Sequence, residues 1–239
     1  AELNVSSNAT FTSATGTNII LDTAANTFGG TVTFVGAGGN LNNVTITDDT
    51  ALDLLGLTLD GALVATGAGI TQSGGVLTIT GTTTLAAGAN NITLNGANDF
   101  STVLITNGNN VALTDANGII LGASTVGGTL AVTTTSGTIT DSGNVSVVGN
   151  VTLNDVALAG ITLGTLQADS NVILTAAGNT AITNDTILNL EGAVTGTLGA
   201  TATTGGITDS GTLSVTGNAT FNDVALAGIT LGTLQADSN

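Results

Sequence analysis

Two stretches of this 239-residue chain, ITDSGNVSVVGNVTLNDVALAGITLGTLQADSN at 139–171 and ITDSGTLSVTGNATFNDVALAGITLGTLQADSN at 207–239, agree at 28 of 33 positions, the second offset from the first by 68. Repetition at a fixed period restricts the fold severely, because each unit must bury its apolar face against the next one. Weaker copies lie upstream: ITQSGGVLTITGTTTL at 70–85 answers ITDSGNVSVVGNVTL at 139–153, and NVSSNATF at 4–11 answers SVTGNATF at 214–221. The residue closing this segment is Phe11, Leu85, Leu153 and Phe221 in turn, at spacings of 74, 68 and 68. No linker or charge block interrupts the series. Residues 1–239 therefore read as one continuous array, with units at roughly 1–74, 75–142 and 143–210 and a partial unit at 211–239.

Each unit divides again. Residues 143–164, 165–186 and 187–210 each open on an alternating apolar run and close in a Gly/Asn/Asp/Ser cluster. NVTL, ITLG, NVILT and TAIT have strand character, while NG at 95–96, 107–108 and 117–118 and GG at 29–30, 127–128 and 205–206 mark turns. The expectation is an all-β parallel β-helix (β-solenoid) with about three coils of roughly 22–23 residues per 68-residue repeat. At about 4.8 Å per coil, ten or eleven coils make a rod on the order of 50 Å long. A solenoid selects the echo because each strand pairs in register with its counterpart one coil on, stacking like residues into ladders. The absence of proline leaves every backbone N–H free for such a ladder. An all-β sandwich pair is the alternative.

Charge excludes whole classes of function. Sixteen acidic residues stand against no Lys, Arg or His, a net charge of -16. Neutralising nucleic-acid phosphates needs cations that this chain lacks, and an anionic bilayer would repel it. Residues 61–98 carry no charge, yet Gly, Thr and Asn break them throughout, so they read as strands and not as a membrane helix. Without cysteine there is neither a disulfide framework nor a thiolate metal site. The opening AELNVSSNATF lacks a basic n-region and an apolar h-region. An export signal is expected to have been removed or to lie outside these residues. Asn239 matches Asn171, after which the earlier copy runs on into VILTAAG, so the native chain is expected to continue.

Carboxylates are the only side chains here able to serve as catalytic acid and base. Asp48, Asp49 and Asp53 cluster, with Asp60 close behind. Paired carboxylates can hydrolyse glycosides, but a chain without Arg or Lys is poorly suited to acidic polysaccharides. The preferred expectation is solvated corner residues; a weak Ca²⁺ site at Asp48, Asp49 and Asp53 is the second. Asp141 and Asp209, Asp155 and Asp223, and Asp169 and Asp237 recur at one phase. With three coils between copies they would stand roughly 14 Å apart, too far to share an ion held at about 2.3–2.6 Å. They are expected to bond their own backbone at corners. Thr31/Thr33, Thr45/Thr47 and Thr78/Thr80 raise an ice-binding reading, which their scattered phase disfavours. Phe28 and Phe100, in NTFGG and NDFST, are expected to be stacked core aromatics, with a carbohydrate platform as the alternative. No catalytic residue and no cofactor are expected.

The stretches ITQSGGVLTITGTTTLAAGANNITLNGANDF (70–100) and VALTDANGIILGASTVGGTLAVTTTSGTITDSG (111–143) resemble the repeat regions of filamentous-haemagglutinin-like bacterial exoproteins. Many of these large surface adhesins are exported by two-partner secretion. The resemblance implies a right-handed parallel β-helix serving as the shaft of a secreted fibre, and no catalytic residue. The expected function is a long rigid extracellular rod. A self-assembling fibre or sheath subunit stacked end to end is the alternative, and an ice-binding solenoid or a polysaccharide-acting β-helix enzyme are remote ones. Expected partners are flanking repeats or copies of itself through end-to-end β-stacking, and host or neighbouring cell surfaces.

Overall fold

The structure is a computed structural model, and it describes residues 1–237. Alternation of apolar with small polar residues produces strands of two to sixteen residues and, among the described residues, no helix. Every strand pairing is parallel, and the chain winds as a β-solenoid of about 11 turns. Two long sheets line the solenoid, and Asn4–Val5 pairs with Thr27–Phe28 in a separate short one. Sheet 1 holds, among others, Val111–Asp115, Leu130–Thr134, Val151–Asp155 and Asn171–Ala177. Sheet 2 holds Ile119–Leu121, Ile139–Asp141, Ile161–Ala168 and Thr180–Asn184.

Between the sheets runs a core of aliphatic ladders. Leu94, Leu113, Val132, Leu153 and Leu174 stack directly on five successive turns of sheet 1, all buried. Ile119, Ile139 and Ile161 do the same in sheet 2. Each such side chain contributes about 1.5–3 kcal/mol on leaving water, and branched chains repeated at one register fill a narrow interior. Turn asparagines continue the ladders outside the core. Asn91 Oδ1 accepts the Asn110 N–H, and Asn110 Oδ1 accepts the Thr129 N–H, so each amide satisfies the turn one coil on.

The number of coils per repeat differs from the expectation. Ile139 pairs with Ile119 and Ile161 in sheet 2, whereas its sequence copy Ile207 pairs with Leu188 and Ile229 in sheet 1. Three steps up sheet 2 lead from Ile139 through Ile161 and Thr180 to Leu198, and the short stretch from Leu198 to Ile207 carries the chain across to sheet 1. The repeat unit thus winds three and a half turns, not three. Coil length also varies more than expected, following the turns: Ile19 pairs with Val44, but Thr180 pairs already with Leu198. The markers follow suit, with Phe11 and Leu153 in sheet 1 and Leu85 and Phe221 in sheet 2. Straight VTLND in sheet 1 becomes straight ATFND in sheet 2, so the two faces exchange roles from one unit to the next.

Candidate functional site

The acidic candidates do not converge. Asp48 and Asp49 follow the sheet 2 strand Val44–Thr47, and Asp53 lies round the corner on Leu52–Leu54 of sheet 1. Asp49 is exposed, Asp53 Oδ1 accepts the Ser73 N–H, and Asp60 Oδ1 accepts from Asn40 Nδ2. Among the described residues no three acidic side chains form a group able to hold a metal ion. Asp48 corrects the solvated-corner expectation: it is buried, and its Oδ1 accepts the Phe28 N–H at 3.3 Å, the Thr50 N–H at 2.9 Å and the Thr50 hydroxyl at 2.8 Å.

Asp48 belongs to a set that sequence reasoning did not assemble. It is the fifth residue of VTITD, and Asp115 and Asp155 are the fifth residues of VALTD and VTLND. Alternation from the inward Val and third residue turns that fifth side chain inward too, which is the signal that could have found the set. Asp115 Oδ2 accepts the Phe100 N–H at 2.7 Å and its Oδ1 accepts the Asn117 N–H at 2.8 Å. Asn98, Asp115, Thr134 and Asp155 stack on successive turns of sheet 1, each with 0% exposure. A polar column this dry stands only where each member bonds the backbone: Asn98, Asp115 and Asp155 accept from N–H groups, and the Thr134 hydroxyl donates to the Gly137 carbonyl. Burial pushes the Asp115 carboxyl above its ordinary value, opposed by its bonds from Phe100 and Asn117 and reinforced by nearby Asp99.

Phe28 and Phe100 are each 1% exposed, so they are core residues and offer no carbohydrate platform. Their partners differ: Phe28 meets Phe11 edge-on at 5.7 Å, and Phe100 sits in register with Ile79. The ITDSG aspartates reach farther than their own corner. Asp141 Oδ1 accepts the Gly164 N–H at 2.9 Å, and its Oδ2 accepts the Thr165 N–H and hydroxyl at 2.7 and 2.8 Å. These bonds clamp the coil above, correcting the expectation of bonds to their own backbone. Asp209 repeats them on Gly232 and Thr233. That set, led by the Gly232 N–H, holds the Asp209 carboxyl below its ordinary value. Asp155 does bond its own corner, through the Gly160 N–H at 2.5 Å.

The Thr-x-Thr pairs form no common plane. Thr31 and Thr33 are in sheet 1, Thr45 and Thr47 in sheet 2 beside Val64 and Thr66, and Thr78 on a separate run of sheet 2 beside Thr58 and Asp99. A shallow cleft on sheet 2 is lined by Asn144, Thr165, Leu166, Thr183, Asp185 and Thr203, with Thr203 Oγ1 donating to Asp185 Oδ1. No described helix is long and apolar enough to cross a membrane.

Fold and side-chain arrangement together define a repeat-built β-solenoid whose acidic groups brace turns. A family model described as repeats of unknown function (DUF5649) matches residues 1–35, 41–107, 108–177 and 177–238, and the chain belongs to that family. The starts of the last three matches, at 41, 108 and 177, are spaced much as the near-identical copies are. No curated protein and no solved structure matches the chain.

Proposed function

We propose that this chain is a length of the structural shaft of a large secreted bacterial surface filament, of the filamentous-haemagglutinin-like kind, and that it has no catalytic role. The carrying observation is the continuous parallel stacking through about 11 turns, with aliphatic ladders inside and hydrogen-bonded asparagines at the turns. Such a stack resists bending, because every turn shares its hydrogen bonds with two neighbours. The resemblance of residues 70–143 to exoprotein repeats supports an extracellular, cell-surface location and an adhesive parent protein. Commitment of Asp48, Asp141 and Asp209 to backbone N–H groups supports a bracing role for carboxylates in place of acid–base chemistry.

Immunogold microscopy with antibodies against this segment tests the reading. Label along fibres that extend from intact cells is expected; label confined to the cell interior would overturn it.

A further inference from the structure

The acidic residues are distributed unevenly around the rod. One edge is formed by the turns that lead from sheet 1 to sheet 2, at 15–18, 38–43, 55–56, 73–76, 116–118, 135–138, 156–160, 178–179, 195–197 and 216–218. None of these turns contains an acidic residue, although the chain carries sixteen; the one further crossing, inside Ile92–Asn107, exposes Asp99 below Ala116, so the edge runs uncharged from 116–118 up to 216–218. The opposite edge, formed by the turns from sheet 2 back to sheet 1, exposes Asp22, Asp49, Asp169 and Asp185. Chance burial does not explain the contrast, because most of the turn residues on the uncharged edge are exposed or half-buried.

From the middle of this uncharged edge projects an apolar knob. The turn 156–160, VALAG, has five residues where the turn below has four, 135–138, and the turn above has two, 178–179. Val156 is 52% exposed and Leu158 44% exposed, even though coils lie both above and below them. The knob is held stiffly. Leu158 N–H donates to the Asp155 carbonyl, Gly160 N–H donates to the Asp155 carboxylate, and Gly178 of the coil above reaches the same carboxylate at 3.5 Å. Leu158 adopts a φ of 57°, which an L-residue with a branched side chain rarely takes.

We propose that this edge is a lateral interface between two copies of the chain, each seating its Val156–Leu158 knob over the partner's short turn at 178–179. The occupant follows from charge. Two rods of net charge -16 repel over most of their surfaces, and the uncharged edge is the line along which they can approach at least cost. A cationic partner would instead be drawn to the acidic edge and to the faces that carry Asp53, Asp141, Glu191 and Asp209. A two-fold axis across the edge, lying between the coils of 156–160 and 178–179, sets each knob against the other copy's two-residue turn, as a self-complementary interface requires. Pairing of this kind is separate from the end-to-end arrangement, and it leaves the shaft reading untouched if it fails.

Sedimentation velocity and small-angle scattering on the purified chain test the interface. In about 1 M salt, where the Debye length falls to about 3 Å, a concentration-dependent dimer of unchanged length and doubled cross-section is expected. At about 0.01 M salt, with a Debye length near 30 Å, that dimer weakens by tenfold or more. Leu158→Asn, which suits the left-handed backbone, is expected to abolish the dimer and preserve the circular dichroism spectrum. With no native cysteine in the way, Ala157→Cys is expected to give a disulfide-linked dimer on mild oxidation, and Thr140→Cys on a sheet face is not. Monomer at every salt and concentration would sink the proposal. So would a dimer that survives Leu158→Asn, one of doubled length, or association only with a basic probe such as polylysine.

Discussion

Asp141 and Asp209 receive the same three hydrogen bonds from the same Gly-Thr bend, yet one does so on sheet 2 and the other on sheet 1. Local sequence thus dictates local conformation so firmly that the copy is rebuilt on the far side of the rod. The two carboxylates act as clamps between coils, joining residues 23 and 24 positions apart. Asp141→Asn is expected to speed amide exchange at Gly164 and Thr165, and Asp209→Asn at Gly232 and Thr233, with little change in the central ladders. Site-resolved hydrogen exchange reads this directly; equal protection in the variants would remove the clamps from the account.

Acid should release the Asp209 clamp in the unaltered chain. Its folded-state carboxyl titrates below the ordinary value of 3.8. The unfolded chain therefore binds the proton more readily, and the clamp's contribution is full above that value and fades as pH falls through the folded one. Exchange at Gly232 and Thr233 should accelerate over that acid window.

Asp115 carries the opposite sign. Burial raises its carboxyl above 3.8, so between that value and its folded one the native state holds more protons than the unfolded state. Its contribution to stability is greatest below 3.8 and declines as pH rises through the folded value. Asp115→Asn should flatten this part of the stability profile measured by urea unfolding, at the cost of about 1 kcal/mol for the one N–H that loses its acceptor. An unchanged slope would mean that the buried carboxyl is not titrating there.

The half-turn repeat predicts distances. Thr152 in sheet 1 and Thr220 in sheet 2 are copies of one position. Spin labels at Thr152→Cys and Thr220→Cys would be separated by about 17 Å along the axis, from three and a half coils, and by at least about 10 Å across the sheets. Dipolar spectroscopy should therefore report roughly 20 Å or more. Three whole coils on one face would give about 14 Å.

Two substitutions five residues apart on the same coil should move stability in opposite directions. Leu153 lies in the aliphatic ladder with 0% exposure, and Leu153→Ala should cost about 2–5 kcal/mol. Leu158→Asn relieves the left-handed backbone strain at φ 57° and should stabilise the monomer by about 1 kcal/mol. Thermal unfolding in dilute solution distinguishes them.

The period, the parallel stacking and the inward phase of residues such as Val151 and Leu153 were legible because strand alternation and sequence echo each have one structural meaning. The half turn was not. A sequence echo fixes where like residues recur along the chain, but the coil count depends on turn lengths, and these range from two residues at 178–179 to six at 38–43. The acidic candidates misled for a related reason. Asp48, Asp49 and Asp53 look like a cluster in one dimension, whereas parity sends Asp48 inward and the corner carries Asp53 to the other sheet. Asp115 was overlooked because it stands alone in VALTDANG, where only its position in the alternation marks it.

Exchange of faces after every three and a half turns bears on how such a rod can lengthen or shorten. Recombination between near-identical copies would add or delete whole repeat units, and each new junction would reproduce a native one, so such a change creates no mismatched contact. What changes is bearing. Each unit gained or lost turns everything beyond it through half a revolution, so an odd change aims whatever the rod carries to the opposite side and an even change restores its heading. Reach and direction are therefore coupled, and both are set by counting.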